Sequence, residues 1–338
     1  MKVLFVSSGN NPDFEIAPFI RSQGESLKEN GVDVSYFPLK GKGLYGYLKN
    51  VTVLRNHIKQ YPYDLIHSHY SFSGWISALT GTFGVPKIVS YMGCDVYGDF
   101  DENGRLIPFS RINIFSARLL QFFVKRIIVK SENLKHHIRL QKKARVIPNG
   151  VNVSQFRVME KKEARKQLGL QPDKMYLLFL GNKMNPRKNY RLLEVAANNL
   201  DFSMEILTPY PVSSVEVPLY LNACDVLVQT SYQEGSPNII KEAMACNTPI
   251  VSTNCGDVKW VLGNTEGCYI TGYHPDDVEI KLKEAIQFAR MKGKTSGRNR
   301  LKQLGLDSDT IAQKLIRIYQ ELHCKNRLEN YNFQIGRE

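Results

Sequence analysis

Two glutamates eight positions apart, Glu234 and Glu242, stand in a run that reads Glu234-Gly235-Ser236-Pro237-Asn238 and continues to Val251. A short apolar segment at 225–229 precedes them. Glu234 therefore belongs on a loop at a strand's carboxyl end, and Glu242 about two turns along the next helix. Gly235 and Ser236 can present free backbone amides where that helix starts, with Pro237 near its first position. A carboxylate in the place of Glu242 can accept both hydroxyls of a ribose. The same spacing also arises as plain helix decoration, so the pair needs its surroundings to carry weight.

Three further segments could do chemistry. Gly181-Asn182-Lys183-Met184-Asn185-Pro186-Arg187-Lys188-Asn189 places three cations between a strand and a helix. Such a loop can clamp a pyrophosphate by charge and by the helix N-terminus, or it can be an exposed basic loop. The first loop, Ser7-Ser8-Gly9-Asn10-Asn11-Pro12, has small residues ahead of a helix. Its amides can face a phosphate or merely turn the chain; the absence of G-x-G-x-x-G argues against a dinucleotide. A strand at 64–66 runs into His67-Ser68-His69-Tyr70. We expect these two rings on opposite faces of the strand, one packed and one facing a cleft, which disfavours joint chelation of a metal. A Gly-Lys-Thr at 293–295 is no Walker loop, because Phe288 stands where the earlier glycine is needed.

These segments need a frame, and the pattern supplies one. Short apolar runs alternate with helix-period stretches up to about residue 140, pause at Val146-Ile147-Pro148-Asn149-Gly150, and cross a polar, basic stretch to 168. The alternation then resumes from 176 to 290, with a last helix expected at 309–323 and a loosely held tail at 326–338. Alternation of this kind means βαβ units and parallel sheets. The expectation is an α/β protein of two Rossmann-like domains facing each other across a cleft: 1–160, then 161–310. A helix and tail at 311–338 would pack back on the first. A chain of 338 residues suits two domains.

Composition narrows the partners. Lys and Arg number 45 against 32 acids, a net charge of +13, yet the excess is uneven. From 105 to 145 there are eleven Lys or Arg and one acid, Glu132, whereas 201–250 carries six acids and one Lys. Uniform coating of a duplex does not fit, so no nucleic-acid partner is expected. Two basic, aromatic stretches could meet an anionic membrane. On the helix expected at 112–124 the aromatics should pack on the sheet, so Lys42, Tyr45 and Tyr47 are the better acceptor or membrane candidates. No apolar run reaches the roughly 18 residues of a membrane span, and the N-terminal run is too short for a signal peptide. The six cysteines, Cys94, Cys224, Cys246, Cys255, Cys268 and Cys324, include no Cys-x2-Cys. Zinc knuckles are thereby excluded and a reducing compartment is favoured. The expectation is a cytoplasmic protein, with peripheral contact at the inner face of the plasma membrane as the membrane reading.

Taken together, "EGSPNIIKEAMACNTPIV", "RVIPNGVNVSQF", "FLGNKMNPRKN" and "DLIHSHYSFSG" resemble the retaining glycosyltransferases of family 4, of GT-B fold and of the type found in bacterial and archaeal polysaccharide synthesis. The resemblance covers nearly the whole chain. It implies transfer of a sugar from a nucleotide-sugar to a saccharide or lipid-linked acceptor, with retention and without a metal ion or other cofactor. It implies that Lys188 binds the diphosphate, with Arg187, Lys183 and Gly181 in the same loop, and that Glu242 holds the ribose. Glu234, with the amides of Gly235, Ser236 and Pro237 and the adjoining Asn238, would orient the donor sugar. His69 would lie near that sugar, and Gly9 in the loop that closes over the phosphates. On the same resemblance His69, Glu234 and Lys188 act at the reacting centre. The chain departs from the family pattern at Asn182 (usually Arg), Met92 (often His), Ser236 (usually aromatic) and Asn247 (usually Gly). Epimerase-like chemistry on the same fold and a partner-dependent subunit are the rival readings.

Overall fold

The computed structural model describes residues 1–41, 43–81, 84–101, 104–201 and 203–335. The chain divides into two compact units. The first comprises Met1–Gly98, Pro108–Gly150 and Ser308–Glu338, and the second Asp99–Ile107 and Val151–Asp307.

The first unit is a six-stranded, all-parallel sheet. Its strands are β1 (Lys2–Ser8), β2 (Asp33–Leu39), β3 (Leu65–His69), β4 (Lys87–Tyr91), β5 (Arg126–Val129) and β6 (Ala144–Val146), in the order β2-β1-β3-β4-β5-β6. Val3, Leu4, Phe5 and Val6 are wholly buried, and all five residues of β3 and of β4 are buried. Continuous burial is what a parallel strand covered on both faces requires. The helix Pro18–Glu29 packs beside the last helix, Ser308–Ile335. Ser26 Oγ donates to the Ser308 carbonyl at 3.0 Å, and the Tyr319 hydroxyl shares a 2.6 Å hydrogen bond with His67 Nδ1 in the core.

The second unit is a five-stranded parallel sheet. Its strands are β7 (Tyr176–Leu178), β8 (Glu205–Leu207), β9 (Val226–Gln229), β10 (Ile250–Thr253) and β11 (Cys268–Thr271), in the order β11-β10-β9-β7-β8. Leu177, Val226, Val228 and Val251 meet Leu193, Ala196, Leu282 and Ile286 from two helices to form its core. In both sheets the second strand lies outside the first and the third lies inside it. The chain therefore reverses its direction of growth between β1 and β3, and again between β7 and β9. Loops leave the carboxyl ends of such a pair in opposite directions and open the crevice where α/β proteins hold ligands.

Three local expectations are corrected. The polar stretch before β7 contains a helix, Lys161–Gln167, seated by charge rather than apolar area. The buried Arg165 donates to Asp225 at 2.8 Å and to the Ala223 carbonyl at 2.9 Å, and Lys161 reaches Asp225 at 2.6 Å. The last helix does not stop at 323 but runs to Ile335, because residues 324–335 contain neither Gly nor Pro to break it. The third concerns the helix Ser110–Leu120 and the turn after it. Phe115, Phe122 and Phe123 face solvent, while Ala117 and Leu120 supply the packing.

Candidate functional site

In the second unit, the loops that follow β7 and β9 are fastened to each other. Thr230 Oγ1 donates to the carbonyls of Lys188 (3.1 Å) and Asn189 (2.8 Å), and Tyr232 N donates to the Arg187 carbonyl at 2.9 Å. Across this seam Lys188 Nζ meets Glu234 Oε1 at 2.6 Å. Lys188 ends a short 3-10 turn, Pro186–Lys188, whose start is capped by Asn185 Oδ1 accepting from Arg187 N at 3.1 Å. Its side chain lies along Gly181: a Cβ there would stand 3.5 Å from Lys188 Cδ. Burial pushes the Glu234 carboxyl up, but Lys188 and Arg187 outweigh it and hold the group below the usual glutamate value. The pair is therefore a carboxylate and an ammonium at the mouth of the β7/β9 crevice.

Asn182, where the family pattern has arginine, does a different job. Its Oδ1 accepts from Met184 N at 2.9 Å, and its carbonyl accepts from Asn185 N at 3.0 Å, so the side chain closes the loop's first turn. Lys183 does not take over the missing charge beside Lys188. Its ammonium sits 5.3 Å from the centroid of Tyr190, which in turn packs edge-on against Phe179.

The glutamate pair falls where its spacing predicts. Glu234 lies in the loop after β9, and Glu242 in the helix Asn238–Ala245. Pro237 is the N-cap of that helix, with no side-chain cap, so the first-turn amides are those of Asn238, Ile239 and Ile240. One expectation fails on chemistry: Pro237 has no N–H and cannot join Gly235 and Ser236 as an amide donor. The Glu242 carboxylate receives no side-chain hydrogen bond among the described residues. Burial pushes its pKa up to about 7, with the neighbouring Lys241 pulling the other way. Ser236 Oγ is held by Lys241 Nζ at 3.0 Å. Asn247 adopts φ 55°, the left-handed conformation that glycine takes without strain and asparagine tolerates. Its side chain also accepts from Arg298 N at 2.8 Å, which accounts for asparagine in glycine's place.

The sequence reading missed two supports. Gly256, at φ 60°, lets the loop after β10 pass under the Glu234–Gly235 backbone; a Cβ would come within 2.8 Å of both carbonyls. Lys241 is fully buried, and Asp257, raised by its own burial, feels its charge. A lysine in a helix reads as surface, so nothing in the sequence marked it.

The first unit carries the remaining candidates at its own β1/β3 reversal. Gly9 donates to the Leu39 carbonyl at 2.9 Å and leaves no room for a side chain, since a Cβ would lie 2.6 Å from Pro38 Cβ. Asn10 grips Gly41 twice, donating to its carbonyl (2.7 Å) and accepting from its N–H (2.9 Å). Tyr47, expected on an acceptor surface, is partly buried and donates to Ser8 Oγ at 3.0 Å. Tyr45 is exposed beneath the Lys49 ammonium, and Lys42 lies outside the described residues.

His67 and His69 are on one face of β3, not two. Strand side chains repeat every second residue, and the rings stack 4.5 Å apart. His67 is satisfied by Tyr319 and Ser90. His69 is fully buried with neither ring nitrogen hydrogen-bonded among the described residues, and burial, His67 and Lys130 hold its pKa well below the usual histidine value. Asp95 was another omission. One oxygen accepts from Ser71 N (2.7 Å) and the other from Met92 N (2.9 Å), so it binds the loop after β3 to the loop after β4. Met92 thereby contributes its backbone. Among the described residues no three His, Cys, Asp or Glu gather as a metal site.

Comparison with known proteins gives a consistent result. Residues 3–155 match the model of Glycosyltransferase Family 4, and residues 161–287 that of Glycosyl transferases group 1. A D-inositol 3-phosphate glycosyltransferase of Pseudarthrobacter chlorophenolicus is 23% identical over 69% of this chain and 65% of its own length. A Bacillus subtilis glycosyltransferase named for teichuronic acid biosynthesis is 27% identical over 60% of this chain and 56% of its own. The chain thus spans less than two thirds of these curated relatives. Among solved structures, sucrose-phosphate synthase of Thermosynechococcus elongatus superposes with a TM-score of 0.78 at 20% identity, covering 96% of this chain and 99% of that one. Anabaena HepE in complex with UDP gives 0.71 at 16% identity, covering 95% and 100%. These likenesses establish the GT-B fold.

Proposed function

The chain belongs to the family 4, group 1 glycosyltransferases, and on that footing we propose that it moves a sugar, with retention of anomeric configuration, from a nucleoside-diphosphate sugar to a hydroxyl of a saccharide or lipid-linked acceptor. The observation that carries this reading is the Lys188–Glu234 pair at the β7/β9 reversal, with the Glu242 carboxylate on the helix that follows. Cleaving the anomeric bond puts negative charge on a leaving diphosphate and positive charge on the sugar. Lys188, Arg187 and the first-turn amides of the helix Asn238–Ala245 oppose the first without a metal ion. Glu234 is freed to meet the sugar once the diphosphate draws Lys188 away. Glu242 accepts the ribose hydroxyls. The leaving phosphate takes the acceptor's proton on the same face of the sugar. A uridine nucleotide is the first donor to try, since a structural neighbour was crystallised with UDP-glucose. The teichuronic-acid relative supports a role in cell-envelope polysaccharide or glycolipid synthesis.

The test is calorimetry of the purified protein with UDP, GDP, ADP and their sugars in the presence of EDTA. One nucleotide should bind, and Lys188→Ala and Glu242→Ala should each weaken it about tenfold or more. If none binds with or without added metal, a stand-alone transferase is the wrong reading.

A further inference from the structure

The helix Ser110–Leu120 buries Ala117 and Leu120 against the sheet core and turns a second apolar stripe outward. Ile112, Phe115, Phe122 and Phe123 are 59%, 68%, 51% and 57% exposed, and Leu119 continues the stripe. A soluble domain rarely leaves so many large apolar side chains together in water. Arg111, Arg118 and Lys125 border them, all exposed. The Arg139 guanidinium stands 5.7 Å from the centre of the Phe122 ring. Between this stripe and residues 136–139 runs a groove of about 490 Å³, with Phe115, Leu119 and Phe122 beside Arg118, Arg139 and two histidines. The single acid of the surrounding 105–145 stretch, Glu132, is engaged by Lys135 at 3.4 Å.

The geometry points to a docking surface for an anionic lipid bilayer, with the Phe115–Arg118–Arg139 groove as the seat of a lipid phosphate. Rings and branched chains enter the headgroup boundary, and the long basic side chains reach the phosphates around them. A second copy of the chain is a poorer occupant, because a symmetric pairing would set Arg111, Arg118, Lys125 and Arg139 against themselves. Among the described residues no helix is long and apolar enough to cross a membrane. The inference stands on this face of the first unit and does not depend on the transfer reaction.

Vesicle flotation tests it. The full chain should float with phosphatidylcholine vesicles containing one-third phosphatidylglycerol, sink with pure phosphatidylcholine, and lose binding as salt is raised. Each cation removed should lower partition about fivefold, so Arg118→Ala with Arg139→Ala should lower it about twenty-five-fold. Phe115→Ser with Phe122→Ser should lower it at least about tenfold, while thermal midpoint and nucleotide binding stay unchanged, because these side chains face solvent. Flotation that neither double variant reduces overturns the inference. So does absence of flotation, with or without a dimer that Phe115→Ser dissolves. Nucleotide binding in the same samples reads the transferase proposal separately.

Discussion

Glu234→Gln separates competition from support at the phosphate loop. The Lys188 ammonium is 2.6 Å from Glu234, with side-chain exposures of 23% and 13%. A hydrogen bond between charged groups contributes about 1.5–3 kcal/mol, and partial exposure places this pair toward the lower end. An arriving diphosphate has to draw Lys188 out of that pairing. Glutamine preserves the shape and an acceptor oxygen but removes the charge, so about 1–2 kcal/mol of opposing attraction disappears. The nucleoside diphosphate should then bind about five- to thirtyfold tighter, while sugar transfer falls by about a hundredfold because the sugar has lost its carboxylate. Calorimetry with the diphosphate, run beside turnover and beside Lys188→Ala, reads both numbers. If Glu234→Gln weakens diphosphate binding as much as Lys188→Ala does, Glu234 is holding Lys188 in its binding pose, and the competition argument is refuted.

Other perturbations follow from the same geometry. Burial pushes the Glu242 carboxyl up to about 7, and in the proposed ribose contact only its ionised form accepts the hydroxyls, so nucleotide affinity should be flat above pH 8 and fall about tenfold per unit below pH 7. Calorimetry in buffers of different ionisation heat should show proton release on binding near pH 6.5, and Glu242→Gln should abolish it. His69→Leu should leave the thermal midpoint unchanged or raise it, because a buried ring with two unanswered nitrogens costs stability. Turnover should fall if that ring serves the reaction; a lower midpoint with normal turnover would show the ring is structural. Gly9→Ala should cost about 1–3 kcal/mol by driving a Cβ into Pro38, read as a drop in the denaturant midpoint at constant slope.

The sequence made the parallel sheets legible because buried parallel strands such as Val3–Val6 and Val226–Val228 are continuous apolar runs between helix-period segments. It made the Glu234 and Glu242 positions legible because a strand, a glycine turn and a helix fix them together. It could not show which stripe of a two-striped helix is buried. In Ser110–Leu120 the small Ala117 and Leu120 pack, and the larger Phe115 does not. Nor does hydropathy reveal a helix held by Arg165 and Asp225, whose contribution is ionic and directional. The two β3 histidines were legible in principle, since a period of two puts them on one face. Asn182 and Asn247 looked like losses by residue type, yet both are turn-closing side chains. Backbone conformation, not charge, decides their value.

Tyr319 and His67 are joined across 252 positions of chain, and this sets an order of assembly during synthesis. The first unit begins with residue 1 but is incomplete until the segment from Ser308 onward has emerged. Residues 151–307, most of the second unit, are available earlier. The portion made first is therefore finished last, and in the interval the Ser26 and Asn30 face of the helix Pro18–Glu29 and the inward-facing His67 lack their covering helix. Losing the helix Ser308–Ile335 would therefore injure the first unit, made well before it, rather than the second.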